Sequence, residues 1–189
     1  MKVIACGVVG LVLLAGCTTP APSPTPISSP IPTSALATAR PGADLVCGID
    51  RAAIEMVTGF KVARSDGALT VQDGVGAGTC SVWTDNKHVG GELLVVRLFP
   101  TSSAKGIEWR DRVDGKRETP PTLVYPRDVV DGAYWKGTLD GDSVVFWGAT
   151  VIVVSAGPLI LGRTWSDDLL AMNQQVAATY GLVGSGGKS

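Results

Sequence analysis

Histidine is nearly absent: His88 stands alone among 189 residues. A zinc site usually takes three or four N/S/O ligands, so one imidazole leaves little to build it from. No G-x-S-x-G occurs to mark a nucleophile elbow. Net basic charge is missing too, with 16 Lys+Arg against 17 Asp+Glu. That balance argues against nucleic acid, which calls for a basic stripe, and against a polybasic grip on anionic lipid. Charge of either sign is absent between Lys2 and Arg40. Long apolar runs are lacking as well. The longest stretch, Val3 to Ala15, makes only about 20 Å of helix. A bilayer span needs about 20 apolar residues, whereas a signal-peptide core fits this length.

What is present at the N-terminus is ordered by function. The run ends in Leu14-Ala15-Gly16-Cys17, which resembles a bacterial lipobox. That resemblance implies cleavage before Cys17, a diacylglycerol on its thiol, and attachment by acyl chains, each buried CH₂ contributing about 0.8 kcal/mol. Residues 1–16 are then an export signal. Residues 17–46 read as a lipidated cysteine and a tether holding seven prolines, from Pro20 to Pro41. Such a Pro/Ser/Thr tract buries too little apolar surface to fold, and extends at roughly 3 Å per residue. The expected location is the outer face of the cell membrane, in the cell envelope.

Export gives meaning to the remaining cysteines. Cys6 leaves with the signal and Cys17 is the lipid site, so Cys47 and Cys80 are left as a pair. In an oxidising compartment two such thiols bridge. Metal binding is the competing reading.

From 47 to 183 the pattern is that of one α+β domain with a mostly antiparallel sheet flanked by helices. Asp50 caps a helix over 51–58 that Gly59 stops. Strands are expected over 60–63, 69–72, 79–83 and 92–99, the last covered on both faces and hence central. Ser102 or Ser103 caps a second helix reaching Val113, and 114–121 reads as an exposed loop. Strands over 133–138, 143–147 and 150–155 follow, the last two joined by a II′ turn at Gly148-Ala149. Thr164-x-x-Asp167 resembles a capping box. Leu169, Met172, Val176 and Tyr180 then mark one helical face, closed by Gly181. Residues 184–189 form a tail. Its Gly187-Lys188-Ser189 is not a phosphate loop, because Leu182 stands where the pattern needs glycine.

The cysteine, the short helix ending in Gly59-Phe60, the later GTCSVW, and DVVDGAYWKG with SVVFWGATVIVVSAG are similar to a family of small actinobacterial lipoproteins. It includes mycobacterial Lpp/Lpq-type proteins and is catalogued as a domain of unknown function. The resemblance implies Cys17 as lipid site, a Cys47–Cys80 disulfide, and a Mog1/PsbP-like fold. It supplies no catalytic residue and no cofactor.

The residues that could carry chemistry are few. His88 lies in Asp85–Gly90, which reads as an exposed hairpin loop. Asp140-Gly141-Asp142 and Asp128 with Asp131 read as turns rather than a calcium loop or an acid/base pair. Five tryptophans are many beside three Phe and three Tyr. Among the aromatics, Trp109, Tyr134 and Trp135 are the candidates for a groove that takes an apolar or glycan ligand. The expected function is a lipid-anchored, non-enzymatic binding or accessory module, its partners the membrane through Cys17 and an envelope ligand or protein. The alternative is an envelope enzyme, such as a glycan hydrolase, whose carboxylate pair forms only in three dimensions.

Overall fold

A computed structural model describes residues 39–89 and 91–182. The expected signal, Cys17, most of the tether and the 184–189 tail lie outside the described residues. Two sheets and three helices follow one another along the chain. A two-stranded sheet pairs β1 (Leu45–Val46) with β2 (Ile49–Asp50). A seven-stranded, wholly antiparallel sheet has the order β3-β4-β5-β9-β8-β7-β6. Its strands are β3 (Arg64–Gln72), β4 (Val75–Trp83), β5 (Glu92–Pro100), β6 (Leu123–Val124), β7 (Gly132–Lys136), β8 (Gly141–Trp147) and β9 (Thr150–Ala156). The helices are α1 (Arg51–Thr58), α2 (Ala104–Val113) and α3 (Trp165–Thr179). The α+β class, with helices flanking an antiparallel sheet, is therefore observed. No described helix is long and apolar enough to cross a membrane.

The folded unit starts before Cys47. Arg40 forms a bidentate pair with Asp50, and Arg51 pairs with Asp44. Residues 40–46 of the expected tether are thus held by the domain. Asp50 caps α1 as expected, its Oδ1 accepting from the Ala52 amide at 3.0 Å. Ala53, Ile54 and Val57 are buried, and Gly59 closes the helix in the left-handed region. Burying an Ile or Val side chain is worth about 1.5–3 kcal/mol, so this short helix is held by packing rather than by propensity.

The first hairpin differs most from expectation. No strand forms over 60–63, while β3 and β4 run nine residues each. Asp73 and Gly74 both take positive φ, 51° and 75°, between the paired Gln72 and Val75. That is a type I′ turn, the geometry that matches strand twist. β3 escapes an alternation search because it is an edge strand with nearly every side chain exposed. β5 and β9, by contrast, are buried on both faces, as the reading of 92–99 required.

The two faces of the sheet carry separate cores. One is large and gathers Val96, Ile152, Val154 and Tyr134 from the strands with Ile54, Leu169, Met172 and Val176 from α1 and α3. The other is small: Ala133, Val144, Phe146, Val151 and Val153, with Val113 of α2. On the large face, α3 buries three polar side chains completely or nearly so: Asp168, Asn173 and Gln175. Asn173 donates to the Ile152 carbonyl and accepts from the Trp147 indole, and Gln175 accepts from the Asp50 amide. Asp168 makes a bidentate pair with Arg163. Thr164 precedes α3 but makes no side-chain capping bond. The expected capping box is therefore not formed, and the acids of the first turn, Asp167 and Asp168, meet the helix dipole instead.

Cys47 and Cys80 form a disulfide across 33 residues of sequence, with Cα atoms 5.6 Å apart. It ties the β1–β2 turn to β4. A loop of that length contributes about 3–4 kcal/mol through the unfolded chain. We expect the Cys47→Ser, Cys80→Ser double variant to lose about 2–4 kcal/mol in urea denaturation; unchanged stability would show that the bond does not constrain the unfolded chain. The second expectation concerns pH. Its hydrogen bonds with Arg40 hold the Asp50 carboxyl below the usual carboxylate range. A depressed folded-state pKa gives stability that is complete above about pH 4 and is lost as pH falls through the folded value. Asp50→Asn keeps the capping oxygen but removes the charge that faces Arg40, so it should lower stability at neutral pH, with the gap to wild type narrowing below about pH 4. A gap that stays constant down to pH 2 would contradict this assignment.

Candidate functional site

Among the described residues the small face of the sheet is only partly covered, and its covering element, α2, is fixed at both ends. Ser103 rather than Ser102 caps α2: its Oγ accepts from the Gly106 amide at 3.0 Å and donates to the Pro100 carbonyl at 2.7 Å. Gly106 is required there, since a Cβ would stand 2.2 Å from the Pro100 carbonyl oxygen. Its absence lets the first turn of α2 lie directly on the end of β5. In the last turn, Arg110 pairs bidentately with Asp131 at 2.8 and 2.9 Å. Its guanidinium also lies 3.5 Å from the Phe146 ring centroid on β8. Asp131 is thus a structural anchor, and Asp128 sits in the turn before it.

Between α2, the loop after it and the β7–β8 turn lies a cleft of about 690 Å³. Trp109 of α2 and Trp135 of β7 meet in its wall, ring centroids 5.6 Å apart and planes at 60°. This edge-to-face arrangement suits the ring quadrupoles. Arg112 lies 4.7 Å from the Trp109 centroid and pairs with Glu108. The Trp135 indole points its N–H at the Thr119 carbonyl, 3.4 Å away on the cleft's rim. Opposite, the tight turn from Gly137 to Asp140 is closed by the Gly137 amide donating to the Asp140 carbonyl.

The charges in this cleft divide by side. Near α2 the cations are engaged: Arg112 with Glu108, Lys116 with Asp111 and Asp114, and Arg117 with Asp111. The hydrogen bond from Lys105 holds the Glu108 carboxyl below its ordinary range, and that with Asp114 raises the Lys116 ammonium. Among the described residues no ion pair engages Glu118, Asp140 or Asp142, which also line the cleft. Lys136 also lines the cleft and lies 5.1 Å from the Trp165 ring rather than in an ion pair, so three carboxylates face one such cation and the balance is acidic.

Of the three aromatic residues picked out in the sequence, the fold brings Trp109 and Trp135 together and sends Tyr134 elsewhere. Successive strand residues face opposite sides, so Tyr134 enters the large core and is buried. Burial first, then Asp140 and Asp142, push its phenol pKa up. His88 is exposed on a single 3₁₀ turn, Lys87–Val89, as a loop histidine would be. Asp140 and Gly141 join the turn to β8, and Asp142 lies within that strand. Among the described residues, no group of three His, Cys, Asp or Glu is placed to hold a metal ion.

Sequence reasoning missed Arg97 and Ser155. They sit on the same sheet face as Trp135, with the Arg97 guanidinium donating to the Ser155 hydroxyl at 3.2 Å. A signal existed, because Arg97 is the one charge inside the run Leu93–Phe99. A charged residue there marks a stretch of interior strand left uncovered.

No family model, curated protein or solved structure matches this chain.

Proposed function

We propose that the protein is an exported lipoprotein, held at the outer face of the cell membrane by acyl chains on Cys17. Its folded domain serves as a non-enzymatic binding module. The observation that carries the binding role is the Trp109–Trp135 corner in an open cleft of about 690 Å³. Ligand sites are concave, with aromatic walls and a few polar groups that fix orientation. The anchoring half rests on the lipobox-like Leu14–Cys17 and on the charge-free approach to it. The Cys47–Cys80 disulfide supports an oxidising compartment. Membership of the actinobacterial lipoprotein family, and the Mog1/PsbP-like arrangement, belong to the same proposal and rest on the sequence motifs. A hydrolase is the second reading, favoured by the carboxylates of Glu118, Asp140 and Asp142 in the cleft wall.

Two measurements test this. In cells fed labelled palmitate, Cys17→Ala should abolish incorporation and release the protein from the membrane fraction. Label or membrane association that survives the substitution would refute the anchor. Trp135→Ala should weaken binding of fractionated envelope components by tenfold or more, read as a shift in tryptophan emission of the wild type and by calorimetry for both proteins. Equal binding by the variant would place the site elsewhere.

A further inference from the structure

The cleft does not end at Asp142. A second concavity, of about 360 Å³, adjoins it on the same sheet face and shares Asp140, Gly141 and Asp142 with it. Its floor includes Val95 and Arg97 of β5 and Ser155 of β9. The sheet register aligns the two. Trp135 is paired with Asp142, Asp142 with Ser155, and Ser155 with Val95. These four side chains form one row running across four neighbouring strands, about 14 Å long at the usual strand spacing. Aromatic wall stands at one end, an acidic residue in the middle, and the Arg97–Ser155 pair beside the other end.

Resting on the reading of the cleft as a binding site, we infer that the ligand is an extended, uncharged or amine-bearing glycan chain lying along this row. Three alternatives fit the lining less well. An acyl chain would strip water from Asp142, Asp140 and Arg97 with no partner in return, which is costly for charged groups. A phosphate- or carboxylate-rich polymer would meet Glu118, Asp140 and Asp142, three carboxylates that outnumber Lys136 and Arg97, the lining cations outside ion pairs among the described residues. A peptide strand would find no free sheet edge, since the floor is formed by interior strands whose backbone groups are paired.

A glycan meets each group with a suitable one. The C–H face of a sugar ring lies against the indoles of Trp109 and Trp135. Ring hydroxyls donate to the Asp140 and Asp142 carboxylates, and charge-assisted bonds of that kind are the stronger class. Arg97 donates to a hydroxyl or ring oxygen at the far end. The strand-to-strand step is close to the advance of one sugar ring along an extended chain, so neighbouring positions of the row take successive rings.

The test is calorimetric titration of the detergent-solubilised full chain. The probes are disaccharides and tetrasaccharides of gluco-, manno-, N-acetylchito- and deacetylated chito-series, phosphatidylglycerol vesicles, and an unstructured octapeptide. At least one tetrasaccharide should bind tenfold or more tighter than its own disaccharide. Asp142→Asn, a half-buried and isosteric change, should remove most of that gain, weakening the tetrasaccharide more than the disaccharide. Trp135→Ala should weaken both. Circular dichroism confirms that each variant is folded before it is read. Trp135-dependent binding of vesicles or peptide, with no glycan bound, overturns the glycan assignment and leaves the cleft as the binding site. Glycan binding with no gain from dimer to tetramer overturns the extended row. No Trp135-dependent response to any probe overturns both readings.

Discussion

Four consecutive residues, Cys47 to Asp50, hold the large face of the molecule together. Cys47 is bonded to Cys80 on β4. The Gly48 carbonyl accepts from the Thr179 hydroxyl at the end of α3. Ile49 is fully buried in the core. The Asp50 amide donates to Gln175, and its carboxylate caps α1 while receiving Arg40. A covalent bond, three backbone–side-chain hydrogen bonds, an apolar contact and an ion pair thus meet at these four residues. Without these residues, α1 and α3 would still present apolar faces, but they would lose the ties that join them to the β1–β2 turn and β4.

That arrangement divides labour between the two faces. The large face takes two helices and the β1–β2 hairpin, and its buried polar residues are matched: Asn173 to a β9 carbonyl and an indole, Asp168 to Arg163. The Asn173 bonds to β8 and β9 set where α3 sits on the sheet, while the Arg163–Asp168 pair ties the helix to the segment just before it and is costly to break from one side. Among the described residues the small face takes only α2, pinned by Ser103 and Arg110. What α2 leaves bare is the row of side chains that forms the cleft. The site is a consequence of covering one face fully and the other in part.

The legible parts of the sequence were those where local chemistry and burial agree. Asp50 before Ala53-Ile54 and Val57, with Gly59 after them, reads as a helix and is one. Leu169, Met172 and Val176 mark the buried stripe of α3, and Gly148 takes the positive φ of its hairpin turn. Elsewhere the fold is set by contacts distant in sequence. β3 is stabilised by pairing along its whole length with β4, not by any apolar pattern of its own. Thr164 has the right residue type for a cap, yet its side chain makes no capping bond and the Asp167 carboxylate accepts from the Ser166 hydroxyl instead. For the site, aromatic content pointed to Trp109 and Trp135, while strand alternation, applied to Tyr134 beside them, separates it from the pair. Asp142, Ser155 and Arg97 come together only through the register of β5, β9 and β8, which no local window contains.

The disulfide also decides how the domain responds to tension. The chain enters at Arg40, passes through β1 and reaches Cys47, where a covalent bond crosses to β4. A pull on the preceding residues first opposes the Arg40 and Arg51 ion pairs and the two-residue β1. Beyond those it is handed to a strand hydrogen-bonded on both sides, by β3 and β5. α1 is thereby shielded from load, and α2 with its cleft lies on the opposite face of the sheet from the point of entry. A pull on the N-terminal chain is therefore taken up on the face of the sheet that α2 does not occupy.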